Sequence, residues 1–324
     1  MREIKVTENE AGQRLDKLLG KYLNLAGKGF IYKMLRKKNI TLNGKKCDGS
    51  EKLAVGDQVK LFLSDETVEK FSQVRVGKVK RTSLDILYED SHILLINKPA
   101  GMLSQKAKAE DESLVEYVTA YLLDKGELTE EGLKTFRPSV CNRLDRNTSG
   151  LVAAGKSLAG LRIMAEAFKD RSLHKYYYCV VKGSVKGRQT VRGFLLKDQE
   201  TNQVTVCQNE TEGSAPIVTV YEPVSESGGY TLLEVELVTG RTHQIRAHLA
   251  SVGHPLVGDV KYGDPEINQE AKRRFGIRRQ MLHSHKIVFS RLPEPLGYLA
   301  GRSFRAPLPE EFGRICPGWT GREL

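Results

Sequence analysis

Apolar positions in the first sixty residues fall at helical spacing. Leu15, Leu18, Leu19 and Tyr22 recur every three to four residues, and Ile31, Met34 and Leu35 repeat the pattern, which predicts two short amphipathic helices. Ile40-Thr41-Leu42 then runs into Asn43-Gly44, a pair that takes positive φ readily and favours a two-residue hairpin. A strand over Gln58–Leu63 follows the turn Val55-Gly56-Asp57, so a helix-helix-hairpin module is expected over residues 1–63.

Residues 64–84 carry mixed charge without a sustained apolar period and are expected to be a linker. A second domain is expected over residues 85–324. It opens with the strand His92-Ile93-Leu94-Leu95-Ile96, ended by Asn97-Lys98-Pro99. Ser113 and Ser157 stand as N-caps before helices whose apolar faces are Leu114, Val118, Tyr121 and Leu122, then Leu158, Leu161, Met164 and Phe168. Lys175–Val181 and Thr231–Val238 read as strands. Strands outnumber helices and do not alternate regularly with them, which predicts an α+β domain with a mixed, mostly antiparallel sheet.

At 324 residues, 40% hydrophobic and 28% charged, the chain can bury a core for two domains, and neither disorder nor a fibrous class fits. Its five cysteines are scattered with no C-x-x-C spacing, so reduced thiols are expected rather than a structural metal. No apolar run approaches the roughly 18 residues of a membrane helix, and a cytoplasmic protein is expected. The charge is +11, and residues 1–63 hold 14 Lys/Arg against 7 Asp/Glu. Between residues 28 and 46 stand Lys28, Lys33, Arg36, Lys37, Lys38, Lys45 and Lys46 with no acid, as on a polyanion-binding face. Charge runs are more often solvated helix faces, so this pattern alone leaves RNA binding open.

Three polar constellations bear on chemistry. In Asn142-Arg143-Leu144-Asp145-Arg146-Asn147-Thr148-Ser149-Gly150, a carboxylate sits between two arginines in a polar turn ahead of an apolar strand. By itself it reads as a site or as a surface Asx-turn. Overlapping it, Gly150–Ser157 satisfies G-x-x-x-x-G-K-S, yet the variable residues Leu-Val-Ala-Ala look like a buried strand rather than an open phosphate-cradling curl. The second constellation is Gly240-Arg241-Thr242-His243-Gln244-Ile245-Arg246, at a strand-to-helix junction where Arg241 can aim a fork of donors at a carboxylate or phosphate. His243 and His248, five apart, do not share a helix face, and His283 and His285 lie on another element, so no metal site is expected. The third is Tyr176-Tyr177-Tyr178: on a strand, Tyr177 faces away from its neighbours.

The run Gly12–Lys17, the basic second helix, Ile40–Gly44 and Val55-Gly56-Asp57 together resemble the small RNA-binding domain named after ribosomal protein S-four. With Asp85–Asp90, Asn97–Gly101, Arg143-Leu144-Asp145 followed by Thr148-Ser149-Gly150, Lys175-Tyr176-Tyr177, Gly240–Arg246, Met281-Leu282-His283 and Ala306–Pro309, the chain resembles the pseudouridine synthases of the large-subunit ribosomal RNA class that carry an S-four-like domain in front. That family commonly has His before Arg-Leu-Asp, where this chain has Asn142.

The resemblance implies isomerisation of uridine to pseudouridine in RNA, with large-subunit ribosomal RNA as the expected substrate. It implies Asp145 as the catalytic carboxylate, Arg241 paired with it, and Tyr177 stacked on the base near C5. Leu282 would pack the other side of the pocket, and Arg143 and Arg146 would engage phosphates or the gap left by a flipped nucleotide. Lys28, Lys33, Arg36, Lys37 and Lys38 would bind RNA. No metal, organic cofactor, nucleotide or membrane is implied, and a monomer is expected. The competing readings are a catalytically silent RNA-binding protein and a phosphate-loop NTPase using Gly150–Ser157. Which uridines are modified, and whether Asp145 attacks the ribose or removes a proton, stay open.

Overall fold

The structure is a computed structural model and describes residues 1–73, 83–170, 172–198 and 200–317. The first unit runs β1 (Arg2–Lys5), α1 (Leu15–Tyr22), α2 (Lys28–Arg36), β2 (Ile40–Leu42), β3 (Lys45–Lys46), β4 (Gln58–Leu61) and α3 (Asp65–Phe71). Its four strands form an antiparallel sheet in the order β1-β4-β2-β3. Both expected helices form, and Leu15, Leu18, Leu19, Tyr22, Ile31 and Leu35 bury against Ile40, Val59 and Leu61. The hairpin turns at Asn43-Gly44, both at positive φ.

In this region one element goes unread in the sequence and one expectation needs correction. β1 was not foreseen, because only Ile4 among its four residues is buried and an edge strand of that length shows no period. The segment expected to be linker contains α3, capped by Ser64 Oγ, which accepts from the Thr67 amide at 3.2 Å. Val68 and Phe71 of α3 pack on the first core, Phe71 with its ring 4.5 Å from that of Phe30. Two apolar residues three apart are too few to register as a helical pattern. Residues 74–82 of that expected linker lie outside the described residues.

The larger unit contains β5 (Ile86–Glu89), β6 (Ile93–Lys98), α4 (Leu114–Asp124), β7 (Ser139–Val140), β8 (Ser149–Gly155), α5 (Leu158–Asp170), β9 (Leu173–Lys182) and β10 (Gln189–Lys197). It continues through β11 (Val204–Cys207), β12 (Ala215–Ser227), β13 (Tyr230–Leu237), α6 (Gln244–Ser251), α7 (Pro265–Phe275), β14 (Leu282–Phe289), β15 (Ser303–Arg305) and α8 (Glu310–Ile315). One sheet orders them β11-β10-β12-β13-β9-β14-β8-β6-β5, with β15 on β14 and β7 on β8. Every pairing is antiparallel except β14 with β8, which makes the sheet mixed and mostly antiparallel.

The central strands are buried on both faces, which is why they read as continuous apolar runs. Leu94, Ile96, Val152, Ala154, Tyr177 and Cys179 join one core with α4 and α6. Their alternates Ile93, Leu95, Leu151 and Ala153 join another beneath α5, while Tyr178 and Val180 face α7 and α8. Tyr177 therefore faces opposite to Tyr178, as strand alternation requires. Ser113 caps α4 in a box with Glu116, and Ser157 Oγ accepts from the Gly160 amide at 3.0 Å ahead of α5.

The phosphate-loop reading of Gly150–Ser157 is contradicted. Residues 149–155 are a fully buried strand whose amides and carbonyls sit within ladders to β6 and β14, leaving no cradle of free N–H groups. Lys156 is taken up by Glu89 and Glu127. Gly150 is required for a different reason: its φ is 106°, and a Cβ there would lie 2.1 Å from the Ser284 carbonyl oxygen, so only glycine lets β8 approach β14.

Candidate active site

The loop of residues 143–148 enters β8 with its ends pinned. The Asn142 amide oxygen accepts from the Ala153 N–H at 2.8 Å, and its NH₂ donates to the Leu151 carbonyl at 3.3 Å. The residue that departs from the family's usual histidine thus clamps the loop base to β8. Ser104 Oγ donates to the Leu144 carbonyl and accepts from its amide. Lys98, fully buried, donates from Nζ to the carbonyls of Pro99, Met102 and Arg146. Burial pushes its ammonium down to about 7 against the pull of Asp145. Asp145 occupies the loop tip, its side chain 26% exposed.

Opposite the loop, α6 presents Arg246. Its Nη1 donates to Asp145 Oδ2 at 2.8 Å, while Nε and Nη2 form a two-pronged pair with Asp259 at 2.7 and 2.8 Å. The Asp259 side chain is fully buried and also accepts from the amides of Lys261 and Tyr262. Burial works against the Arg246 charge, but the two carboxylates outweigh it and raise its pKa. The guanidinium is therefore locked by Asp259 with one edge left for Asp145. Arg246 meets Asp145 through Oδ2.

This corrects the expectation that Arg241 pairs with Asp145. Arg241 is exposed and precedes the helix; its backbone N–H donates to Gln244 Oε1, and its side chain makes no ion pair among the described residues. Arg246, within the first turn of α6, faces the cleft instead. The motif contained both arginines, and nothing in spacing alone distinguished them. Asp259 was missed altogether, because a lone acid in Gly258-Asp259-Val260 carries no local signature.

Tyr177 on β9 and Leu282 on β14, both buried, line one inner pocket of about 60 Å³ with Arg143, Asp145 and Arg246. Burial pushes the Tyr177 phenol up to about 12, and the Asp145 charge adds to this. The pocket opens into a cleft of about 740 Å³ whose rim carries Lys106, Arg143, Arg146, Lys197, Arg241 and Lys261. Arg146 also donates from Nε to the Gly101 carbonyl at 3.1 Å. Asp145, Tyr177, Leu282, Arg143 and Arg146 are thus brought together; Arg241 shares the cleft without touching the carboxylate. His243, also unassigned by sequence, lies with Nε2 3.8 Å from Asp145 Oδ2. Among the described residues no group of three or more His, Cys, Asp or Glu converges to hold a metal. Lys28, Lys33, Arg36, Lys37 and Lys38 are all exposed on or just after α2, and none enters an ion pair among the described residues.

A partly exposed carboxylate held by a buried guanidinium, in a pocket shared with an aromatic ring at the foot of a basic cleft, suits chemistry on a nucleotide drawn out of a nucleic acid. Comparison with known proteins agrees. Residues 92–251 match the family model described as RNA pseudouridylate synthase. The ribosomal large subunit pseudouridine synthase C of Salmonella typhimurium is 31% identical over 296 residues, covering 89% of this chain and 88% of that protein. The protein of that name from Vibrio cholerae is 32% identical, covering 88% of each. Two solved human structures share the fold: RNA pseudouridylate synthase domain containing 4, with a TM-score of 0.56 at 19% identity over 71% of this chain and 90% of that one, and domain containing 1, with 0.56 at 21% over 76% and 94%. On this likeness along nearly its whole length, the chain belongs to the RNA pseudouridylate synthase family and is an RNA pseudouridine synthase.

Proposed function

We propose that this enzyme isomerises uridines of large-subunit ribosomal RNA in the cytoplasm, with Asp145 as the carboxylate that acts at the ribose. The observation that carries the reading is the Asp145 carboxylate, held at Oδ2 by Arg246 at 2.8 Å in a pocket that Tyr177 and Leu282 also line. Isomerisation breaks the bond from ribose C1′ to uracil N1 and remakes it to C5, so the site must keep an ionised carboxylate against the sugar and retain the detached base. Arg246 keeps the charge and fixes the geometry. Tyr177 and Leu282 supply two apolar surfaces between which a flat uracil can turn without escaping. Arg143 and Arg146, with Arg241 at the rim, meet backbone phosphates, and extrusion of the nucleotide costs a few kcal/mol that these contacts must offset. The first unit, read as an S-four-like RNA-binding module, adds the face of Lys28, Lys33, Arg36, Lys37 and Lys38 to the RNA contact.

The test is release of C5-bound hydrogen from uridine-labelled, unmodified large-subunit ribosomal RNA transcript, with a chelator present and nucleotides absent. Release in wild type and its loss in Asp145→Asn, with RNA still bound, is the expected result. Turnover by Asp145→Asn would remove Asp145 from the chemistry.

A further inference from the structure

His243 lines the cleft and has no part in the reading above. It precedes α6 with φ of 54°, in the left-handed region where a residue with a side chain is uncommon and strained conformations collect at functional sites. Its side chain is only 9% exposed. Nδ1 lies 3.0 Å from the Tyr262 hydroxyl, and Nε2 lies 3.8 Å from Asp145 Oδ2.

Hydrogen-bond accounting decides which nitrogen carries the proton. The Val204 N–H donates to Tyr262 Oη at 2.9 Å. The phenol therefore already accepts one bond, and its own proton has His243 Nδ1 as its one acceptor among the described residues. An Nδ1–H tautomer would leave that proton to solvent, since Tyr262 is half-buried, and would turn the bare lone pair of Nε2 toward a carboxylate. The Nε2–H tautomer satisfies the phenol and aims a donor at Asp145, so both ends of the ring favour it.

We propose that His243 is a positioning residue for Asp145: a neutral imidazole whose Nε2–H is fixed toward Oδ2 by a relay from the Val204 amide through the Tyr262 hydroxyl. The inference rests on the reading of Asp145 as the reacting carboxylate. At 3.8 Å the ring stands just short of a hydrogen bond, and catalytic hydrogen bonds commonly tighten only when substrate closes the site. With Arg246 and His243 both on Oδ2, Oδ1 is left as the reacting oxygen. Neutrality matters, because an imidazolium beside Arg246 would set a second cation against the carboxylate and lower its basicity. The charged groups around the ring oppose one another: Asp145 on its loop and Asp259 after α6 favour protonation, while Arg246 of α6 and Lys261 disfavour it. Burial adds to the disfavouring side and is the largest influence, so the ring's pKa is lowered. The Tyr262 proton blocks Nδ1 directly.

Two measurements on the full-length protein test this. In a two-bond nitrogen–proton spectrum of protein labelled with ¹⁵N-histidine, the His243 signal, identified by its absence in His243→Gln, is expected as the Nε2–H tautomer; an Nδ1–H tautomer overturns the proposal. In steady-state assays, His243→Ala is expected to lower kcat by about ten- to a hundredfold, the loss of one hydrogen bond to a charged group, with KM for RNA little changed. His243→Gln, which can place an amide N–H near the position of Nε2, should recover much of the rate. Tyr262→Phe frees Nδ1 to bind a proton and should move the acid limb of the kcat profile to higher pH. An unchanged kcat in His243→Ala, or an unmoved limb in Tyr262→Phe, overturns the proposal. If His243→Ala fails to fold, the tautomer and the Tyr262→Phe profile decide. Asp145→Asn run alongside separates the two readings: turnover there removes the premise, whereas a dead Asp145→Asn beside a fully active His243→Ala removes only the role of His243.

Discussion

Arg246→Met isolates what the buried ion pair contributes. Methionine preserves much of the arginine stem but removes three charge-assisted hydrogen bonds, two to Asp259 and one to Asp145. The consequences differ because the two carboxylates differ in exposure: Asp145 can be hydrated, whereas the Asp259 side chain has no solvent access. Breaking a buried pair by removing one partner costs about 3–5 kcal/mol, since the remaining charge is uncompensated. In the wild type, burial opposes the Asp259 charge, but Arg246 and the backbone amides overcome it and lower its pKa. That contribution is therefore complete above the unfolded value of about 3.9 and is lost as pH falls through the lower folded value. In Arg246→Met the sign reverses: the carboxyl's folded pKa rises above the unfolded one, so the variant is worst at neutral pH and recovers relative to wild type as acid protonates Asp259. Urea unfolding at pH 7 and pH 5 measures both numbers. A gap of about 3–5 kcal/mol at pH 7 that narrows at pH 5 is expected, as is partial rescue of stability, without rescue of activity, in Arg246→Met/Asp259→Asn. A gap under about 1 kcal/mol, or one insensitive to pH, would refute the reasoning that Asp259 depends on Arg246.

Tyr177→Phe keeps the ring over the pocket but removes the phenol; full turnover would leave only stacking to this residue, whereas a stalled, rearranged intermediate would give the hydroxyl a proton role at C5. Arg241→Met is expected to weaken RNA binding with little effect on single-turnover rate at saturating RNA, because Arg241 touches no carboxylate; a rate loss as large as that of Arg246→Met would restore the pairing expected from sequence. Replacing Lys28, Lys33, Arg36, Lys37 and Lys38 by Gln should flatten the slope of log affinity against log salt by up to roughly 4, at about 0.7–0.9 for each phosphate that the protein no longer neutralises; an unchanged slope would mean that this face is merely solvated. Gly150→Ala should destabilise the protein by more than about 2 kcal/mol or prevent folding, since the added carbon would lie 2.1 Å from the Ser284 carbonyl oxygen; a near-neutral melting shift would contradict the required close approach of β8 and β14.

Local order was legible wherever one face of an element repeats. The spacing of Leu15, Leu18, Leu19 and Tyr22 and the alternation through Tyr176–Val181 determine helix and strand without distant partners, because periodicity is all that burying one face requires. Turn chemistry at Asn43-Gly44 and the caps at Ser113 and Ser157 are equally local. Asp145, Tyr177 and Leu282 were marked by their resemblance to family motifs, and they line one pocket. Tertiary structure alone decided the rest. α3 and β1 carry too few buried residues to show a period, and they exist because an adjacent core accepts them. The letters of Gly150–Ser157 fit a phosphate loop until β6 and β14 claim their backbone groups. Which arginine meets Asp145 depends on the angle at which α6 enters the cleft and on Asp259, thirteen residues further along the chain from Arg246. A carboxylate's partner is set by distance and burial in three dimensions, and those follow only once distant segments have packed.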